Sequence, residues 1–150
     1  MKSIQNVSNG YKKIQLLIVV IMLIITTVVF TGCGKSDDDP LSQAGLKFVV
    51  HDVNNDHTGN WRISTISQNV QMQDYALDYY KKYFKNDKEI HAIVNFNYNT
   101  TTQISVIGNL LDVSVYEYVD KEEHDANLLF SGKLLTEYHV DKDTGEIEEI

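Results

Sequence analysis

The stretch that decides the fold is residues 90–98, which read IHAIVNFNY. Apolar and polar side chains alternate through it, and alternate residues of a β-strand point to opposite faces of a sheet. One face of this strand carries apolar residues, namely Ile90, Ala92, Val94, Phe96 and Tyr98. The other face carries polar residues, namely His91, Asn95 and Asn97. We therefore expect a half-buried strand whose polar face is open to solvent or to a ligand.

The chain downstream of this strand also has the composition of a sheet. Three runs are rich in β-branched and aromatic residues, namely 103–107, 110–119 and 128–140. We expect them to be separated by a turn at 99–102, a bulge at Gly108 and Asn109, and a charged loop at 120–126. A last turn at 141–145 leads into a short strand at 146–150.

The chain upstream of it contains a hairpin and a helix. Residues 46–52 and 61–66 have strand composition and flank a polar loop, which predicts a hairpin. Residues 70–84 have helical periodicity, which places Met72, Ala76, Tyr79 and Tyr83 on one face. The order of elements predicts an α+β domain, in which one helix packs on an antiparallel sheet of about five strands.

Two resemblances accompany this fold prediction. The order of elements is similar to that of cystatin-like and NTF2-like domains. Residues 134–150, LLTEYHVDKDTGEIEEI, are a strand followed by Asp143, Thr144, Gly145 and Glu146. They resemble the closing hairpin of PepSY-type domains of exported bacterial proteins. The NTF2-like resemblance implies a pocket on the face of the sheet.

The N-terminal residues have a different character. Three lysines, Lys2, Lys12 and Lys13, flank or precede the apolar run 14–30, and no acidic residue occurs before Asp37. This is the arrangement of an export signal. The run ends in Phe-Thr-Gly-Cys at positions 30–33, which resembles the lipobox of bacterial lipoproteins, with Phe30 where the family usually has Leu. The resemblance implies cleavage between Gly32 and Cys33, and a diacylglycerol on the Cys33 thiol.

The lipobox resemblance divides the chain into three parts. Residues 1–32 are predicted to be a cleaved signal peptide, 33–45 a lipidated N-terminus and flexible tether, and 46–150 a single α+β domain. The protein is then anchored in the cell membrane by lipid and faces outside the cytoplasm. An uncleaved membrane helix is the alternative, because about 17–20 apolar residues can span a bilayer. Both interpretations place the domain outside the cytoplasm.

Charge and cysteine content restrict the function further. Residues 33–150 contain 21 acidic and ten basic residues, a formal net charge of −11, because only three lysines and no acids lie in 1–32. Nucleic-acid binding is not expected, since phosphates require a basic surface. The only cysteine is Cys33, so no disulfide stabilises the domain.

A metal site is one hypothesis for the polar loop of the hairpin. Asp52, Asn54, Asp56 and His57 offer ligand atoms at nearly alternate positions, as in a calcium-binding loop. The sixth position should be Gly and is His57, and the twelfth should be Glu and is Ile63. A solvated hairpin turn is the alternative.

A ligand site on the sheet is the second hypothesis. His91, Tyr116, Glu137 and His139 are expected on the polar face of the predicted sheet, where they would line a cleft. A simple solvated face is the alternative.

These features predict a class of protein. The sequence contains no G-x-S-x-G, H-E-x-x-H or phosphate-loop motif, and no cofactor is expected. We expect a membrane-anchored extracytoplasmic lipoprotein that acts as a non-enzymatic binding module, with an envelope protein as a candidate partner. The alternatives are an NTF2-like small enzyme or ligand carrier, and an accessory lipoprotein of a secretion or conjugation system.

Overall fold

The structure is a computed structural model that describes residues 39–119 and 125–150. These residues belong to one compact unit. The export signal, Gly32 and Cys33 lie outside the described residues. Within 39–119 and 125–150, no helix combines the length and the apolar character needed to cross a membrane.

Seven strands form one sheet, and each strand pairs with its neighbours in chain order. They are β1 His51–Asp52, β2 Trp61–Ile66, β3 Ile90–Asn95, β4 Thr100–Ile107, β5 Leu110–Glu117, β6 Leu134–Asp141 and β7 Ile147–Glu149. Strands β2 and β3 are parallel. The other neighbouring pairs are antiparallel, so the sheet is mixed.

The described helices are short. Helix α1, Pro40–Gln43, is a single turn, and Asp39 caps it by accepting from the backbone N–H of Leu41. Helix α2, Ala76–Tyr83, is preceded by a 3₁₀ turn, Met72–Tyr75. The predicted inward face of this helix is observed in part, since Met72, Ala76 and Tyr79 are buried.

The prediction of one helix packed on an antiparallel sheet of about five strands is wrong, because the fold is dominated by a seven-stranded mixed sheet. The connection between β2 and β3, residues 67–89, contains α2 and leads back to the start of the sheet, so that β3 runs in the same direction as β2. Parallel neighbours require such a crossover. The edge strands β1 and β7 contain two and three residues, which is too short to show a periodic pattern.

Strand β3 is buried on both faces. One face joins a large core under α2, which we call the helix-side core; it includes Met72, Ala76, Tyr79, Ile93, Ile104, Leu111, Val113 and Val140. The opposite face joins a smaller one, which we call the second core; it contains Val53, Ile63, Ala92, Val94 and Leu129. The predicted polar face of β3 is therefore not open to solvent. Burial of both faces is typical of a strand in a parallel pair.

Three other local predictions are corrected. Residues 46–50 are not a strand, and Leu46 and Phe48 instead enter the helix-side core as irregular chain. Gly108 and Asn109 form a two-residue turn and not a bulge, since Ile107 pairs directly with Leu110. The irregularity in pairing occurs between Val115 and Tyr116, next to β6.

Candidate functional site

The polar loop of the first hairpin is closed by Asp56. Its Oδ1 accepts from the Thr58 backbone N at 2.8 Å and the Thr58 hydroxyl at 2.6 Å, and its Oδ2 accepts from the Trp61 N at 2.9 Å. Burial opposes ionisation, but hydrogen bonds from Thr58, Trp61 and Asn60 outweigh it and lower the pKa of Asp56 to about 2. Both oxygens of this carboxylate are therefore used by the turn.

The other candidate metal ligands of this loop do not converge on one point. Asp52 pairs with Arg62, whose Nε lies 3.4 Å away. Asn54 forms an isolated backbone bridge with Asp125, and His57 is exposed. Among the described His, Cys, Asp and Glu residues, the group whose ligand atoms come together contains neither Asp52, Asp56 nor His57. The loop acts as a hairpin turn.

His91 lies in the helix-side core within a row of buried polar groups. Its Nδ1 is 3.0 Å from the Tyr79 hydroxyl, and its Nε2 is 3.0 Å from Glu89 Oε2. Arg62 Nη2 lies 3.2 Å from Glu89 Oε1, and the Phe84 ring stacks on the imidazole at 3.9 Å. We call Tyr79, His91, Glu89 and Arg62 the buried polar row.

Burial and hydrogen bonds together shift the pKa values of this row. Desolvation lowers the pKa of His91, although Glu89 partly offsets the effect. For Glu89, burial acts to raise the pKa, but hydrogen bonds from the Lys85 backbone N–H and from His91 outweigh it and lower the value. The row is therefore a stabilising network around an ionised Glu89, and His91 has 0% of its surface exposed.

His91 and His139 lie on opposite faces of the sheet. In the strand register, His91 of β3 is opposite Ile104 of β4, Ile104 is opposite Val113 of β5, and Val113 is opposite Tyr138 of β6. These four residues therefore lie on the same face of the sheet. Adjacent residues of a strand point to opposite faces, so His139 points away from His91. A single pocket that uses both histidines, as the NTF2-like alternative requires, is therefore excluded.

Glu137 and His139 do lie together, and the structure adds Asp112 to them. Asp112 is opposite His139 in the β5–β6 register, and one ligand atom from each of the three residues lies within 4.8 Å of the others. We call these residues the Asp112 cluster. Tyr116 lies farther along β5 and contacts the Phe130 ring at 5.5 Å instead. Asp112 lies between Leu111 and Val113, which were predicted to point inward. The alternation of a strand therefore places Asp112 on the opposite face, and this is the sequence signal that could have found it.

A groove of about 390 Å³ opens on the helix side of the sheet. It lies between the start of the 3₁₀ turn and strands β3 to β6. Its lining has no charged residue: Val70, Gln71, Met72, Gln73, Asn95, Tyr98, Thr100, Thr102, Val115, Leu135, Thr136 and Tyr138. We call it the neutral groove. The groove was not predicted from the sequence, because Thr100 and Thr102 were expected in a turn and instead lie in β4.

Asn95 holds the wall of this groove in place. Its Nδ2 donates to the backbone oxygens of Gln68 at 3.0 Å and Val70 at 3.2 Å, and its Oδ1 accepts from the Asn97 backbone N–H. The side chain is buried, so these bonds have no competition from water. The segment before the 3₁₀ turn is therefore tied to the end of β3, which fixes this side of the groove.

Several polar groups in the neutral groove are free to bind. Four lining hydroxyls have no hydrogen-bond partner among residues 39–119 and 125–150, namely those of Tyr98, Thr100, Thr102 and Tyr138. Tyr98 and Leu135 are 45% and 47% exposed, so aromatic and aliphatic surface lies beside these hydroxyls. The groove combines apolar contact area with uncommitted donors and acceptors.

Comparison of the chain with family models, with curated proteins and with solved structures gave no match. The candidate sites therefore rest on this chain's own geometry. The neutral groove on the helix side and the Asp112 cluster on the opposite face both combine accessibility with uncommitted polar groups.

Proposed function

We propose that the protein is a lipid-anchored, extracytoplasmic, non-enzymatic binding module whose ligand occupies the neutral groove. The groove is the observation that carries this proposal. Its volume of about 390 Å³ falls within the roughly 300–1,000 Å³ typical of small-molecule sites. Lipobox-like residues 30–33 support the location of the module, and an envelope protein as its partner stays a prediction.

The chemistry of the lining defines the ligand. The lining is uncharged in a chain whose formal net charge is −8, so no buried ion pair is offered to a charged ligand. Free hydroxyls of Tyr98, Thr100, Thr102 and Tyr138 favour a ligand with several hydroxyl or amide groups. The exposed Tyr98 ring and Leu135 favour a ligand that also has an apolar face. A neutral saccharide of one or two rings has both properties.

Titration of the full-length chain with neutral disaccharides, with and without N-acetyl groups, tests the proposal. A polyoxyethylene detergent is required, because sugar-based detergents would compete. We expect calorimetric binding that weakens at least tenfold in Leu135→Arg, since the new guanidinium places a charge in the groove. Ile107→Arg makes a similar change at a position that is 60% exposed and outside the groove, so it should bind like the wild type.

Two results would contradict this function. One is the absence of heat and of thermal stabilisation with each neutral disaccharide. The other is equal binding by Leu135→Arg and Ile107→Arg, which would place the ligand elsewhere. Acidic sugars of the same size serve as a chemical control, and we expect them to bind more weakly because the groove offers no cationic partner.

A further inference from the structure

The Asp112 cluster contains uncommitted metal-ligand groups on the face opposite the neutral groove. The side chains of Glu137 and His139 form no hydrogen bond or ion pair with another described residue. Both stand on β6, and Asp112 faces His139 from β5. Two paired strands thus bring two carboxylates and one imidazole together, and among the described residues only Asp112 has a side-chain partner, the Ser105 hydroxyl.

Asp112 provides a second, independent observation. Its Oδ1 is shielded from solvent and has no hydrogen-bond partner among the described residues. Its Oδ2 accepts one bond, from the Ser105 hydroxyl at 3.3 Å. A buried carboxylate oxygen without a partner is destabilising, so native proteins usually satisfy it with a water or an ion. Within 39–119 and 125–150, the carboxylate of Asp112 therefore has no positive partner, and one of its oxygens lies within 4.8 Å of ligand atoms of Glu137 and His139.

We propose that Asp112, Glu137 and His139 bind a divalent transition-metal cation of the Zn²⁺ class. The three ligand atoms lie within 4.8 Å of one another. Each has to move by less than about 1 Å to reach the ~2.0–2.2 Å bond length that Zn²⁺ takes with His nitrogen and carboxylate oxygen. Rotation of the Glu137 and His139 side chains can supply this movement, because both are only partly buried.

The ligand set selects among cations. Calcium and magnesium prefer oxygen ligands, and the imidazole of His139 favours a borderline transition metal over them. Three protein ligands leave a fourth position open to water or to another group. Glu148 pairs with His139 across β6 and β7, and both line a groove of about 460 Å³. His139 therefore borders a groove open to solvent, and Glu148 is a candidate fourth ligand.

The test uses the full-length chain in detergent after removal of metal with a chelator. Calorimetric titration with Zn²⁺ should show one equivalent that binds tightly, and the thermal midpoint should rise because the cation binds the folded state. We expect His139→Ala and Glu137→Gln each to weaken this binding at least tenfold. His57→Ala removes an exposed histidine outside the cluster and should retain it.

The variants and a second cation make the outcome decisive. Glu137→Gln preserves the shape of the side chain, so it reports on metal binding even if His139→Ala does not fold. The proposal is overturned if wild type binds no Zn²⁺, if both cluster variants bind like wild type, or if Ca²⁺ stabilises the protein as well as Zn²⁺ does. Leu135→Arg should bind Zn²⁺ normally, so failure here is distinguishable from failure of the neutral groove.

Discussion

The imidazole of His91 is enclosed by groups that disfavour its positive form. Its neighbours that can carry charge are Glu89, Arg62, Lys85 and Tyr79. Only Glu89 favours the imidazolium, whereas desolvation, Arg62 and Lys85 oppose it, so the pKa of His91 falls below its usual value of 6.5. In the unfolded chain the same imidazole titrates normally. The folded state therefore binds fewer protons than the unfolded state just below pH 6.5.

This difference in bound protons predicts acid sensitivity. Where the unfolded state holds more protons, the free energy of unfolding decreases as the pH falls. For His91 the decrease begins near its unfolded pKa of 6.5 and ends at its lower folded pKa. Glu89 has a lowered pKa as well, so it adds a second decrease below its ordinary value of 4.5. Both groups act in the same direction.

We predict that His91→Gln reduces the loss of stability between pH 7 and pH 5. Denaturant unfolding at a series of pH values measures the free energy of unfolding. A difference of one bound proton between the unfolded and folded states changes it by at most about 1.4 kcal/mol per pH unit. His57→Gln, at an exposed position, is the matched control and should follow the wild-type slope. A wild-type slope in His91→Gln would show that other groups cause the acid sensitivity.

At the scale of elements, the chain approaches itself closely where residues 131–133 pass the end of β5. A side-chain carbon on Gly132 would lie 1.9 Å from the backbone oxygen of Glu117. A backbone hydrogen bond holds the two segments together at this point, because the Glu117 N–H donates to the Lys133 carbonyl oxygen at 2.9 Å. Only a residue without a β-carbon fits here, and the entry to β6 depends on it.

We predict that Gly132→Ala lowers the free energy of unfolding by about 1–3 kcal/mol, the usual cost of forcing atoms into a packed site. Lys133→Ala changes an exposed side chain next to it and should lie within about 0.5 kcal/mol of wild type. Urea denaturation followed by circular dichroism compares the two. Equal stability of both variants would mean that the backbone of β5 yields without cost.

The elements also show which features sequence can predict. Strands β3 to β6 and the buried face of α2 follow in outline from local periodicity, but β3 ends at Asn95, β4 already begins at Thr100, and β6 begins only at Leu134. The burial of His91 could not be predicted, because a polar residue at an alternate position normally indicates a solvated face. Its burial depends on Tyr79, which the crossover between β2 and β3 brings against it, and on Glu89, two residues earlier in the chain. Long-range pairing, which no local pattern encodes, also created the Asp112 cluster.

At the scale of the whole molecule, the two proposed sites lie on opposite faces of the sheet and differ in chemistry. The helix side carries the uncharged neutral groove, and the opposite side carries the Asp112 cluster. The seven-stranded sheet separates them, so a ligand in one does not contact residues of the other. The proposal that both act outside the cytoplasm depends on residues 1–33, whose sequence resembles a lipoprotein signal.

The last prediction concerns the proposed lipid anchor at Cys33. In a bacterial host with lipoprotein-processing enzymes, the wild type should incorporate labelled palmitate and sediment with the membranes, because the proposed diacylglycerol on Cys33 carries fatty-acyl chains. Cys33→Ala removes the thiol that accepts the lipid, so it should lose the label completely. Ser36→Ala changes a nearby polar residue and leaves the lipobox-like sequence intact, so it should label like the wild type.

The size of the product separates this anchor from the uncleaved membrane helix. Cleavage before Cys33 removes 32 residues, which is visible as a faster-migrating band, and an inhibitor of the lipoprotein signal peptidase should restore the longer form. An uncleaved helix predicts a full-length, unlabelled chain that sediments with membranes in wild type and Cys33→Ala alike. If Cys33→Ala takes up palmitate as well as wild type does, the lipid lies elsewhere and the lipobox interpretation is wrong.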